Sequence, residues 1–135
     1  TFHAFCRRLL HRYGPLVGLP SSFTILDAED QAQVAAIARD AVLEGRQTRP
    51  SLPKPGAIVG WASLAAESGR ELEDVVAEAN PRLADRLDIL RAIADGYAER
   101  KRAMAAVDYA DLLVLTLRLL DEHPRVRRRL GEATR

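Results

Sequence analysis

Metal-binding and nucleophilic residue types are scarce in this sequence. It contains one cysteine, Cys6, and three histidines. His3 and Cys6 lie three residues apart, which puts both side chains on one face of a helix, but a tetrahedral zinc site needs a second pair of ligands and none is present. A Cys–His nucleophile needs a third group to orient the histidine, and none is indicated. We therefore predict no metal site and no catalytic residue, and we interpret Cys6 as a packed thiol.

Groups of carboxylates are the second candidate for chemistry, because two such groups in different environments can act as acid and base. Each group stands at the start of a predicted helix, where carboxylates cap backbone N–H groups and interact favourably with the helix dipole. Capping therefore explains these groups without catalysis. They are Asp27 with Asp30, Glu71 with Glu73 and Asp74, and Asp108 with Asp111.

Phosphate-binding groups are the third candidate. A P-loop requires a glycine-rich turn followed by lysine, and the pair Gly56 and Gly60 in GAIVGW has no lysine after it. Two basic stretches remain, namely Arg46, Arg49 and Lys54 in one loop and the run Arg127, Arg128 and Arg129. Each stretch is either a phosphate contact or a solvated surface, and composition alone does not separate the two interpretations.

The elements that must position these residues are nearly all helical. Apolar residues recur at three- and four-residue spacing, capping residues precede the repeats, and Gly or Pro ends them. The predicted helices cover 3–13, 28–45, 57–67, 71–79, 82–105 and 109–122, with a basic last helix that ends at Gly131. A basic, proline-rich loop covers 45–56, and 23–26 is a short extended piece. The stretch LLVLTLRLL in 109–122 is apolar nearly all round, which predicts a central position.

This pattern predicts an all-α fold, an irregular bundle of about six to seven helices. The chain has 135 residues, of which 47% are apolar and 29% charged, so we expect residues 1–135 to form a single helical domain. The net charge of +1 provides no overall attraction to nucleic acid. No secretory signal and no apolar run of about 18 residues is present. A single cysteine favours a reducing compartment, so we expect a cytoplasmic protein.

Three separated blocks of the sequence resemble UvrD/Rep-type DNA helicases. The opening TFHAFCRRLL resembles the family's Thr-Phe-His block, with Ala4 where the family usually has serine. Residues 23–31, FTILDAEDQ, resemble its F-x-I-L-D-x-x-D-Q stretch. The segment AVDYADLLVLTLRLL resembles the block before the family's Walker B motif, with Tyr109 in place of phenylalanine. The order and spacing of the blocks fit, whereas residues 45–80 match weakly.

The resemblance implies that the chain is the helical insertion of the first RecA-like motor domain, called subdomain 1B, with the motif helix 1–13 at its front edge. The start at Thr1, without an initiating methionine, is expected for a piece of a longer protein. That parent would be an ATP-driven 3′→5′ helicase that unwinds DNA, for example in repair, with ATP and magnesium as its cofactors. The Walker A lysine would lie upstream of Thr1 and the magnesium-binding acidic pair beyond Arg135. The fragment alone is therefore expected to have no cofactor and no ATPase activity.

The resemblance also implies which residues contact the tracking single strand. Thr1 would offer a hydroxyl and His3 an imidazole N–H to phosphate oxygens, while Phe2 would pack or support the site. Such contacts position a strand without reading its sequence, as a translocase requires. Asp108 and Asp111 would cap their helix, which suffices to explain both carboxylates, and a role in shaping the strand path is a weaker alternative.

The remaining partners also follow from the resemblance. The family's insertion lies beside the incoming duplex, so Arg46, Arg49 and Lys54 would contact duplex phosphates. The expected partners are single-stranded DNA, duplex DNA and the remaining motor domains of the helicase, with no membrane.

Two functions from other classes stay open. The chain could be a stand-alone helical protein-interaction module with no DNA role. A helix-turn-helix DNA reader is the weaker alternative, because no short helix pair carries a recognition face rich in Arg, Asn or Gln.

Overall fold

The computed structural model describes residues 1–133 of the chain. Within that range the fold is all-α, with seven α-helices, two 3₁₀ segments and a two-residue strand pair. The helices are α1 (Phe2–Tyr13), α2 (Ala28–Leu43), α3 (Pro55–Ser68), α4 (Leu72–Ala79), α5 (Leu87–Ala103), α6 (Tyr109–Glu122) and α7 (Pro124–Ala133). The strands are β1 (Thr24–Ile25) and β2 (Ala106–Val107), and the 3₁₀ segments are Gly14–Val17 and Pro81–Arg86. The predicted fold class is confirmed.

Two of the predicted caps hold the starts of long helices. The Oδ1 atom of Asp27 accepts a hydrogen bond of 2.8 Å from the backbone N–H of Asp30, and the Asp30 side chain accepts from the Asp27 backbone in return. Asp108 and Asp111 form the same reciprocal box at the start of α6, with a bond of 2.9 Å. Each box satisfies backbone donors that a helix start leaves without a partner.

The strand pair was not predicted, since two residues are too few to show strand alternation. Thr24 pairs with Ala106 and Ile25 with Val107 in parallel register. Because β1 directly precedes α2 and β2 directly follows α5, the four helices between them leave and rejoin the rest of the fold at one place.

The buried apolar residues form two clusters on either side of this strand pair. The first lies among α2, α3, α4 and α5, and its fully buried members include Ala38, Ile58, Val76, Leu90 and Ile93. The second lies among α1, α6 and α7, and its members include Cys6, Leu10, Phe23, Leu112 and Leu119. Neighbouring strand residues point to opposite faces, so Ala106 belongs to the first cluster and Val107 to the second.

Two details of the predicted helices are wrong. The helix predicted over 82–105 begins with the 3₁₀ segment Pro81–Arg86, in which the Asn80 side chain accepts from the backbone of Arg82. Helix α6 packs against α1, α3 and α7, as its apolar sequence predicts, but it is not enclosed on all sides, because Leu117 is 55% exposed. The helical spacing of apolar residues also predicts buried positions for Ile37 in α2 and Leu64 in α3. Both are exposed, because the buried stripes of these helices run through neighbouring positions. No helix of residues 1–133 has both the length and the apolar character that a bilayer span requires.

Candidate nucleic-acid interface

An open pocket of about 470 Å³ lies between the start of α1 and the start of α6. His3, Arg7 and Arg8 line it from α1, and Tyr109 lines it from α6. Asp27, the N-cap residue of α2, is the acidic residue among its lining side chains. The rings of His3 and Tyr109 meet edge to face, with their centroids 5.1 Å apart. Both residues are exposed, so a ligand in the pocket can reach their side chains.

Thr1 and Phe2 lie beside this pocket at the start of α1. Thr1 is the N-cap of α1, and its Oγ1 accepts a hydrogen bond of 3.2 Å from the backbone N–H of Ala4. Accepting this bond leaves the hydroxyl proton available to a ligand. Phe2 is 58% exposed, and its ring centroid lies 6.4 Å from that of His3. Phe2 therefore contacts the His3 ring, and its role in packing or supporting the site stays a prediction.

Two residues that the sequence analysis did not single out, Arg7 and Arg8, belong to the same pocket. Arg7 follows His3 by four residues, which places both on one face of α1. The four-residue spacing from His3 could therefore have identified Arg7 as part of the same site from the sequence. The chain has no acidic residue before Asp27, and no carboxylate of residues 1–133 forms an ion pair with either arginine.

A buried ionic cluster fixes the start of α6, where Tyr109 stands. The ammonium of Lys101 donates to Asp108 Oδ2 at 3.0 Å and to Asp111 Oδ2 at 2.6 Å. Tyr97 donates its hydroxyl to the same Asp108 oxygen at 2.7 Å, and the Lys101 ammonium lies 4.4 Å from the Tyr97 ring centroid. The capping interpretation of the two carboxylates is thus incomplete, because they also bind the last turns of α5.

The electrostatics of this cluster follow from its burial. Burial alone raises the pKa of a carboxylate, but at Asp108 the charge of Lys101 and the hydrogen bonds from Tyr97, Asp111 and Lys101 outweigh it. The pKa of Asp108 therefore lies below its usual value, and the group is ionised. Burial and the hydrogen bond to Asp108 raise the pKa of Tyr97, so Tyr97 remains a donor.

The third carboxylate group has a role other than capping. Glu71 is the N-cap residue of α4, but its side chain makes no capping hydrogen bond. Instead, Arg91 donates to Glu73 at 2.7 and 2.6 Å and to Glu71 at 3.2 Å. The hydrogen bonds from Arg91 lower the pKa of Glu73 to about 2. These ion pairs join the start of α4 to α5. Because Glu71 and Glu73 are both paired with Arg91, neither is a free acid or base.

The basic loop lies apart from the pocket. Arg46, Arg49 and Lys54 are exposed between α2 and α3, and none of them lines the pocket that contains His3. Lys54 is the N-cap residue of α3, and its side chain forms no cap hydrogen bond. None of the three forms an ion pair with a carboxylate in the described part of the chain. The loop can therefore offer three cations to an external anion, and its contact with a duplex stays a prediction.

His3 and Cys6, the pair considered as metal ligands or as a nucleophile, differ in their exposure to solvent. Cys6 is fully buried, whereas His3 is exposed. Among residues 1–133 no three His, Cys, Asp or Glu side chains form a group that could bind a metal ion.

Comparison with known proteins adds evidence that is independent of this geometry. The family model described as UvrD/REP helicase N-terminal domain matches residues 1–135. The chain is 29% identical over 129 residues to the ATP-dependent DNA helicase PcrA of Bacillus subtilis, and 31% identical over 131 residues to the ATP-dependent DNA helicase UvrD1 of Mycobacterium tuberculosis. Each alignment covers 93% of this chain but only 16% of the relative.

Proposed function

This chain belongs to the UvrD/Rep helicase family, and we propose that it is a DNA-contacting helical part of an ATP-dependent 3′→5′ DNA helicase that acts in DNA unwinding or repair in the cytoplasm. The observation that carries this proposal is the pocket between α1 and α6, where two aromatic rings and two arginines line an open space and outnumber its one carboxylate, Asp27. Cationic groups beside aromatic faces are the combination that binds single strands without sequence preference.

Each residue of the pocket has a role that follows from its chemistry. His3 donates a ring N–H to a phosphate oxygen, and Arg7 and Arg8 neutralise neighbouring phosphates. The accessible ring of Tyr109 provides a face on which a base can stack. All of these contacts are independent of base identity, because none of them requires a groove edge.

Two segments outside the pocket complete the proposal. The basic loop with Arg46, Arg49 and Lys54 contacts the phosphates of the duplex ahead of the single strand. The exposed apolar side of α6, including Leu117, packs against the remaining motor domains of the helicase. ATP and magnesium are cofactors of the parent protein, and we assign them no ligand in this chain.

Single-strand binding at several salt concentrations tests the proposal. We expect the 135-residue chain to bind fluorescein-labelled oligothymidine weakly, with log K falling linearly with log salt. His3→Ala combined with Tyr109→Ala is expected to weaken binding by about tenfold, since stacking contributes about 1–3 kcal/mol per base. His123→Ala combined with Met104→Ala is the matched control, because these side chains lie outside the pocket. Equal affinities of the two double variants would contradict the proposal.

A further inference from the structure

A second groove, of about 550 Å³, lies between α1 and α7. Arg8, Arg12 and Arg129 line it together with the rings of Phe5 and Tyr13, and Glu132 is the acidic residue among its lining side chains. Three guanidinium groups and one carboxylate give this groove a net positive charge. Arg12 lies over the Tyr13 ring at 5.2 Å from its centroid, so one cation is already placed on an aromatic face.

The charge of the whole molecule is strongly divided. Residues 1–26 carry three arginines and no acid, and residues 124–133 carry four arginines and the single acid Glu132. These two segments therefore contribute +3 and +3, while the whole chain carries only +1. The basic residues are concentrated on the pair of helices that forms the groove, which creates a local field that the net charge does not reveal.

Arg8 connects this groove to the candidate interface, because it lines both pockets. From His3 to Arg12 the helix rises by about 14 Å, which is the length of about four stacked nucleotides. Cations and rings therefore follow α1 from the first pocket into the second without an intervening acidic residue on that helix.

We propose that the groove between α1 and α7 is a second binding site for single-stranded DNA, in which Arg8, Arg12 and Arg129 contact phosphates of the strand that continues from the pocket of His3 and Tyr109. This inference rests on the proposed function and extends it, since it doubles the length of strand that the chain contacts. Phe5 and Tyr13 form the apolar floor of the groove, against which a base can lie.

Binding of two oligothymidines, of two and of twelve nucleotides, tests the inference on the 135-residue chain. Removing two cations with R12Q/R129Q is expected to lower the salt slope for the longer strand by about 1.4 and to weaken its binding about tenfold at low salt. Binding of the shorter strand, which the first pocket alone accommodates, is expected to change less than about twofold. The charge-conserving variant R12K/R129K is expected to retain most of the affinity for the longer strand.

The matched control is R82Q/R102Q, which removes two exposed arginines that line neither pocket. An equal loss in this control, an unchanged affinity of R12Q/R129Q, or equally tight binding of polyglutamate to the groove would overturn the inference. If the variant with His3→Ala and Tyr109→Ala loses binding while R12Q/R129Q does not, the inference fails and the proposed function stands. If neither strand binds the unmodified chain at low salt, both fail.

Discussion

Lys101 and Asp108 form an ion pair across the junction between α5 and α6, with 3.0 Å between the ammonium nitrogen and the carboxylate oxygen. Their side chains are 9% and 3% exposed. Asp108 directly precedes Tyr109, so the pair fixes the backbone from which the aromatic side of the candidate interface projects. The end of the α2–α5 segment is thereby tied to the site that we propose for single-stranded DNA.

Replacing Lys101 by methionine is expected to lower the free energy of unfolding by about 3–5 kcal/mol, because it leaves buried carboxylate charge without a partner. Urea denaturation followed by circular dichroism measures this change. The double variant K101M/D108N is expected to be less destabilised than K101M, since it removes part of the uncompensated charge. A loss below about 1 kcal/mol in K101M would contradict the pairing.

The buried ion pair between Lys101 and Asp108 was not predicted from the sequence. Leu90, Ala94 and Tyr97 recur at helical spacing in α5, and the next position of that stripe is Lys101. A lysine at a core position, followed by two aspartates, indicates a buried ion pair, but capping already accounted for those aspartates. Because helix capping was a sufficient explanation of Asp108 and Asp111, nothing in their spacing required a second contact with Lys101.

Other features were predictable to the extent that they depend on local chemistry. The caps predicted at Asp27 and Asp108 gave correct helix starts, because a capping box involves neighbouring residues only. The strand pair joins residues about eighty positions apart, and no local pattern specifies that contact. For the same reason, the meeting of His3 and Tyr109 became visible only in the structure, although both lie in recognisable blocks.

The Arg91–Glu73 pair predicts a pH dependence of stability. The pKa of Glu73 is lowered from 4.5 to about 2, so the contribution of the pair is fully present above about pH 4.5 and is lost as the pH falls towards 2. We expect the stability difference between the unmodified chain and Glu73→Gln to shrink over this range, measured by urea denaturation at successive pH values. In Arg91→Gln, carbon NMR of the Glu73 carboxyl should show its pKa returning towards 4.5. A pKa of Glu73 that is the same with and without Arg91 would refute the assignment.

Gly96 is expected to tolerate only a small side chain. A Cβ at this position would lie 3.4 Å from the Ala38 Cβ on α2, which is ordinary contact. Gly96→Ala should therefore keep the packing of α2 on α5 and raise the free energy of unfolding by up to about 1 kcal/mol through helix propensity. Gly96→Leu should lower it by about 1–3 kcal/mol, because the added atoms separate the two helices. Thermal unfolding of both variants measures the two changes in stability, which are expected to have opposite signs. A Gly96→Leu variant that is more stable than the unmodified chain would exclude close packing of α2 on α5 at this position.

Thr116 on α6 carries a hydroxyl that is buried without a hydrogen-bond partner in the described part of the chain, and the residue is only 2% exposed. A buried polar group without a partner costs about 1–3 kcal/mol, and valine has nearly the same shape without the hydroxyl. Thr116→Val is therefore expected to raise the free energy of unfolding by about 1 kcal/mol, measured by urea denaturation. Thr48→Val, at an exposed position in the loop between α2 and α3, is the control and should change stability by less than about 0.5 kcal/mol. A destabilised Thr116→Val would mean that the hydroxyl has a partner, most simply the carbonyl of Leu112 one turn earlier.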